Sequence, residues 1–250
     1  MIDQERFSRT ELFVGSEGVL ALKNSHVAVF GVGGVGGYAV EALTRAGVGR
    51  ITLVDFDHFS VTNINRQLHA LDHTMGMLKV DAVGQRCLEI NPQLQLTLHA
   101  ERYSDETGES LLNSEYDYVL DCIDTISAKI DLIQQCKKRH LQVVSSMGAA
   151  NKIDPTQVKT ADLFDTQKCR LARIMRKELR RRGIDSGVTV VYSTEEFRPL
   201  AAQTNVAKRV SGESWQSVTL GSIATLPSLF GLFMAGIVVK RIVEGEQCEC

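Results

Sequence analysis

The sequence predicts an α/β architecture: a mostly parallel sheet with helices on both faces, plus a C-terminal extension carrying a basic helix and a closing apolar helix. Three observations predict it. Short apolar runs alternate with helix-spaced segments as far as Ser146, the rhythm of strand–helix–strand units. A glycine-rich turn follows the first run. Asp55, Asp121 and Asp124 fall where later runs end, and ligands of such sheets sit at the carboxyl ends of strands.

Each element has a local reason. His26–Phe30 is a short apolar run that stops at glycine, so it reads as a strand. Residues 35–46 carry apolar side chains at helical spacing and close on Gly47. Arg50–Val54 is a second strand, ending at Asp55. Residues 77–90 form a helix stopped by Asn91-Pro92, because proline restricts the residue before it and cannot continue the ladder. Strands are expected at 94–100, 116–120 and 141–146, with a helix at 127–139. Asp154-Pro155-Thr156 reads as a turn, and residues 188–192 as a strand. The polar segment 199–215 reads as a crossing loop. Residues 218–239 hold no charge and could be taken for a membrane span. Serine, threonine, Gly221 and Pro227 interrupt them, so a short strand, a turn and a buried helix at 228–243 explain them better.

The balance of 28 basic and 30 acidic residues with 44% hydrophobic content is that of an ordinary globular chain, and it excludes disordered and collagen-like classes. The six cysteines, Cys87, Cys122, Cys136, Cys169, Cys248 and Cys250, include no C-x-x-C pair, so no zinc site is expected. The N-terminus is acidic and lacks an apolar signal core, so the expected compartment is the reducing cytosol. The expected organisation is one domain over 1–250. Residues 1–150 form a nucleotide-binding half and 151–250 a substrate and dimer half.

The glycine turn is Gly31-Val-Gly33-Gly34-Val-Gly36-Gly37, between a strand and a helix. Glycines let the backbone turn tightly and admit a phosphate, while the helix start offers free N–H groups and its positive dipole end. Asp55, 24 residues after Gly31, stands where a carboxylate can accept ribose hydroxyls. The sheet is therefore Rossmann-like, and an NAD or FAD site competes with an ATP site at this point. A loop holding Asp57, Asn63, Asn65, Arg66 and Gln67 follows, then Lys79 at a helix start. Hydride transfer has no use for that arginine and lysine, whereas a triphosphate does. Asp124 suits Mg²⁺, which takes one or two carboxylates plus phosphate oxygens. Each residue also has an ordinary reading: Asp55 or Asp124 as a cap, Arg66 or Lys79 as a solvated surface charge.

These residues together resemble the ThiF/MoeB/HesA superfamily, the ubiquitin-activating-enzyme-like adenylating fold, from about Arg6 to Arg241. The resemblance implies that ATP and Mg²⁺ are bound and a carboxylate is adenylated. By matching position, Gly31, Gly33, Gly34, Gly36, Asp55 and Asp57 would cradle the nucleotide. Asn63, Arg66 and Lys79 would hold phosphates, and Asp124 the metal. The segment Arg6-Phe-Ser-Arg9 resembles one whose arginine reaches the partner subunit's nucleotide site in a homodimer, with Arg9 the candidate. Arg9, Arg66, Lys79 and Asp124 are the expected catalytic set.

The second half narrows the substrate. Residues 168–182, KCRLARIMRKELRRR, hold eight basic residues and one acid; the other 235 carry 20 basic and 29 acidic residues. Leu171, Ile174, Met175 and Leu179 share one helical face. Arg170, Arg173, Arg176, Lys177, Arg180, Arg181 and Arg182 cover the rest, a pattern that attracts a phosphate backbone or forms only a solvated face. Gly148 to Thr156, Asp162-Leu163, Gly183-Ile184 and Val190 to Glu195 are similar to the branch of the superfamily that dehydrates threonylcarbamoyladenosine in tRNA. That likeness implies tRNA as partner, a homodimer and an association with sulfur-transfer proteins. The alternative within the superfamily is adenylation of the C-terminus of a ubiquitin-like sulfur carrier. Cys169 lacks a neighbouring base or resolving cysteine and reads as structural.

Overall fold

A computed structural model describes residues 5–198 and 220–245. The segment 199–215, expected as a crossing loop, and the expected short strand at the start of the apolar run fall wholly or mostly outside the described residues. Seven strands form one sheet in the order β3-β2-β1-β4-β5-β7-β6. They are β1 (His26–Phe30), β2 (Arg50–Val54), β3 (Gln95–His99), β4 (Tyr118–Asp121), β5 (Gln142–Ser146), β6 (Val158–Asp162) and β7 (Thr189–Ser193). All pairings are parallel except β6 with β7, which is antiparallel. The predicted Rossmann-like sheet is what the chain forms.

The helices are α1 (Ser8–Asn24), α2 (Gly36–Ala46), α3 (Lys79–Ile90), α4 (Gly108–Leu111), α5 (Ile126–Lys138), α6 (Arg170–Arg180) and α7 (Thr225–Glu244). The long helix α1, the short α4 and the antiparallel edge strand β6 are elements the sequence reading did not propose. Every residue of β1 is buried, because both faces of the sheet are covered. Val27 and Val29 join one core with Val40 and Leu43 of α2, Val83 of α3 and Phe230 and Met234 of α7. Ala28 and Phe30, on the opposite face, join Ile133 of α5 and Met175 and Leu179 of α6. This period of two sorts one strand into two cores.

Helix α7 is long and apolar enough to cross a bilayer by length and composition. It buries a stripe of Leu226, Phe230, Gly231, Met234, Ala235 and Val238 against the body, as a core helix does. Gly231 is its closest approach to α2: a Cβ there would overlap the Val35 carbonyl oxygen and come within 2.9 Å of the Ala39 nitrogen. Gly236, on the same helix, has nothing within 4 Å. Gly231→Ala should therefore cost about 1–3 kcal/mol in urea unfolding. Gly236→Ala should be neutral or add about 0.5–1 kcal/mol through helix propensity.

Candidate active site

The strand order reverses between β1 and β4, and the crevice there opens at the carboxyl ends of the strands. Gly31 leaves β1 with φ of +85°, and a Cβ on it would lie 2.9 Å from the Cys122 carbonyl oxygen. A Cβ on Gly36 would overlap the Gly31 carbonyl oxygen, so the turn closes only with glycine at both positions. Gly31, Gly33 and Gly34 line the resulting cavity of about 820 Å³; Gly36 acts from behind it, at the start of α2.

Asp55 ends β2 and is buried. Its Oδ2 accepts the Val32 N–H at 2.8 Å and its Oδ1 the Asp57 N–H at 2.9 Å, which fastens the glycine turn to the next loop. Burial pushes this carboxyl above the usual aspartate range, while the Asp57 N–H, the Lys79 charge and the Val32 N–H pull it back. A carboxylate has about four acceptor sites, so two remain for a ligand. Lys79 starts α3 and points its ammonium at Asp57 Oδ2, 2.7 Å away. Arg66 Nη1 donates to the Thr62 carbonyl at 2.9 Å and to Asn65 Oδ1 at 3.0 Å. Asp55, Asp57, Arg66, Lys79 and Asp124 all line the cavity.

Asn63 does not line it. Its Oδ1 accepts the Ser60 N–H at 3.1 Å and closes the 3₁₀ turn Val61–Asn63, whereas Asn65 faces the cavity and donates to the Ser222 carbonyl at 2.8 Å. Arg9 is exposed on α1 and takes no part in its own chain's cavity. Asp124 is exposed at the mouth, after β4. Among the described residues no three His, Cys, Asp or Glu side chains gather as a metal cage. Asp124, a carboxylate lining the cavity, is chemically a ligand for a hard divalent cation that takes its other ligands from phosphate oxygens and water.

On the β4–β5 side of the cavity stand Lys129 and Ser145, which sequence reasoning passed over, around Asp121. Lys129, 1% exposed, donates to Asp121 Oδ2 at 2.8 Å and lies 3.3 Å from both the Asp121 carbonyl and Ser145 Oγ. Ser145 Oγ donates to the same Oδ2 at 2.6 Å, and Asp121 Oδ1 accepts the Ile123 N–H at 3.3 Å. This network fixes the turn that presents Asp124. The available signal was a lysine on the apolar face of α5, one turn before Ile133. Ser146 to Ala150, Leu171 and residues 220–222 complete that side. At the rim the Arg102 guanidinium sits 5.3 Å over the Phe56 ring.

The basic helix α6 needs two corrections. Its buried face is Ala172, Met175 and Leu179, and Ile174 stands 41% exposed instead of joining them, because the helix phase turns 172, 175 and 179 inward. Arg176 is not a surface cation. Its guanidinium donates to the Thr166 carbonyl at 2.9 Å and to Thr166 Oγ1, tying the 3₁₀ turn Leu163–Asp165 to α6. Arg170, Arg173, Lys177, Arg180, Arg181 and Arg182 are exposed. Arg181 and Arg182 pair with Glu178 at 2.7 and 3.8 Å, and Arg180 lies 5.2 Å over Phe164. Cys169 caps α6, its sulfur accepting the Ala172 N–H at 3.5 Å. The Cys122 thiol, beside the glycine turn, is pushed up by burial and is unsuited to nucleophilic work.

Residues 7–249 match the model of the ThiF family. The chain belongs to the ThiF family. This ThiF-family chain is 45% identical over 243 residues to a tRNA threonylcarbamoyladenosine dehydratase of Bacillus subtilis, covering 96% of the chain and 95% of that protein. It superposes on the crystal structure of E. coli tRNA N6-threonylcarbamoyladenosine dehydratase, TcdA, in complex with ATP. The TM-score is 0.86 at 30% identity, with 97% of this chain and 95% of that chain covered. A molybdopterin-synthase adenylyltransferase of Salmonella typhimurium is 37% identical over 156 residues, 61% of each chain.

The buried pair in this ThiF-family chain gives a direct expectation. Lys129→Met strands a buried carboxylate and should lower the unfolding free energy by about 3–5 kcal/mol in urea titration. Adding Asp121→Asn should recover part of that loss, since the uncompensated charge is then gone.

Proposed function

We propose that the chain catalyses ATP-dependent cyclisation of threonylcarbamoyladenosine beside the tRNA anticodon, with net loss of water. One observation carries this reading. The glycine turn, Asp55, Arg66, Lys79 and Asp124 share one cavity with the 146–150 loop and Leu171. The likeness to tRNA threonylcarbamoyladenosine dehydratases runs through both sides of that cavity. The likeness to an adenylyltransferase of the other branch spans only 61% of the chain, which favours the tRNA over a sulfur-carrier protein as substrate.

Residues 1–150 bind ATP, with Asp55 accepting the ribose hydroxyls. Arg66 and Lys79 hold the triphosphate, with Asn65 beside Arg66 in the position expected of Asn63. Asp124 would hold Mg²⁺, which would neutralise charge on the phosphates when bound. The threonyl carboxylate oxygen attacks the α-phosphorus and pyrophosphate leaves, its charge met by Arg66 and Lys79. The ureido group of the same nucleoside then attacks the activated carbonyl, loses its proton and expels AMP. Ring closure within one nucleoside gains strongly from proximity, and no enzyme nucleophile is required.

Leu171, at the start of α6, lines this cavity, and the exposed cations of the same helix offer their charge to the tRNA backbone. A homodimer places Arg9 at a second copy's nucleotide site: the helix that carries it exposes Leu12 by 80% and Phe13 by 91%, a surface suited to cover by that copy. The cytoplasm is the compartment where these substrates meet. Incubation of modified tRNA with ATP, followed by nucleoside mass spectrometry, should show the loss of one water. Asp124→Ala should slow it by about 100-fold or more. Conversion by that variant at the wild-type rate overturns the assignment of Asp124.

A further inference from the structure

A second cavity, of about 510 Å³, lies on the other side of the start of α6. Leu171 faces the main cavity, while Lys168, two residues before α6, faces the second one. The wall between them is firmly built. Asn151 exchanges hydrogen bonds with Gly221 and Arg198, and the Lys152 ammonium donates to the Ser193 carbonyl at 2.7 Å. Glu195 Oε2 accepts the N–H groups of Ile153 and Asp154, each at 2.8 Å.

Two features of the second cavity point to one kind of occupant. Phe197 lines it, with the Arg170 guanidinium 4.2 Å over its ring, a paired aromatic and planar cation of the type on which unstacked bases lie. Glu195 lines it too and is 4% exposed. Its Oε1 stands 3.1 Å from Arg198 Nη2 as an ion pair. Lastly, Glu195 and Glu196 offset Lys168 and Arg198 in the lining, so the cavity is poorly suited to a phosphate.

We infer that this cavity receives the base of a nucleotide flanking the modified adenosine, stacked on the Phe197–Arg170 pair. The inference rests on the dehydratase reading and adds a specificity subsite to it. The modified adenosine enters the main cavity, its neighbour is splayed across the Asn151–Lys152 wall, and the exposed cations of α6 follow the backbone between them. Phe197 and Arg170 are positioning residues, remote from the reacting atoms.

The test uses anticodon stem-loop RNA bearing threonylcarbamoyladenosine, with the base on its 5′ or 3′ side removed in turn. Phe197→Leu should raise KM for the intact stem-loop about tenfold, with kcat and KM for ATP unchanged, while Phe197→Tyr should stay near wild type. One of the two abasic RNAs should raise KM equally in the wild-type enzyme and have no further effect in Phe197→Leu. Unchanged KM in Phe197→Leu, or additive effects of the variant and the missing base, overturns the subsite while leaving the dehydratase reading intact. Failure of the wild-type protein to convert the unaltered stem-loop overturns that reading, and the subsite with it.

Discussion

The Asp55 carboxylate is the constraint on which the site depends. It sits at the end of β2, a strand paired on both sides, and accepts one N–H from the glycine turn and one from the loop that leads to Arg66. Removing it would free both walls of the crevice at once. The same carboxylate lines the cavity, so one side chain serves both the turn and the crevice wall. Its raised carboxyl pKa is the cost of that position: burial opposes the charge, and two backbone donors and Lys79 oppose the burial.

A comparable economy holds on the other half of the crevice. Asp121 and Lys129 are a buried ion pair whose remaining valences are filled by Ser145, the Ile123 N–H and a backbone carbonyl. Because those partners come from β4, β5 and α5, the pair registers three elements at the point where the chain turns outward to Asp124. The Gly231 contact does the same for the glycine turn from behind, letting α7 press directly on the backbone of α2. The site is thus set by backbone approach and buried polar contacts, and the residues that face the ligand are presented by it.

Much of this was legible in the sequence because it is local. Strand β1 and strand β2 have the bounds read from their apolar runs, and α2 stops at Gly47, which takes φ of +100° as a left-handed C-cap. The glycine turn, Asp55, Arg66, Lys79 and Asp124 meet in one cavity, as their spacing suggested. What stayed hidden depends on distant partners. Whether Asn63 or Asn65 faces the crevice is decided by which one caps a 3₁₀ turn and which reaches Ser222. Arg176 looks like its neighbours until Thr166 is folded beneath it. Helix α1 has a weak apolar stripe and is interrupted by the left-handed Gly15, so no clear period marked it.

The contact between Lys79 and Asp57 has an energetic consequence for ligand entry. With its ammonium held 2.7 Å from a carboxylate, Lys79 does not present a bare positive charge to the crevice. An arriving triphosphate therefore competes with a resident anion for Lys79, and what is gained is the difference between two partners. Such an exchange disfavours small anions, which bring too little charge to displace Asp57. In the proposed reaction it would also give the lysine an anion to return to once pyrophosphate had departed, so that product would not be held by a stranded cation.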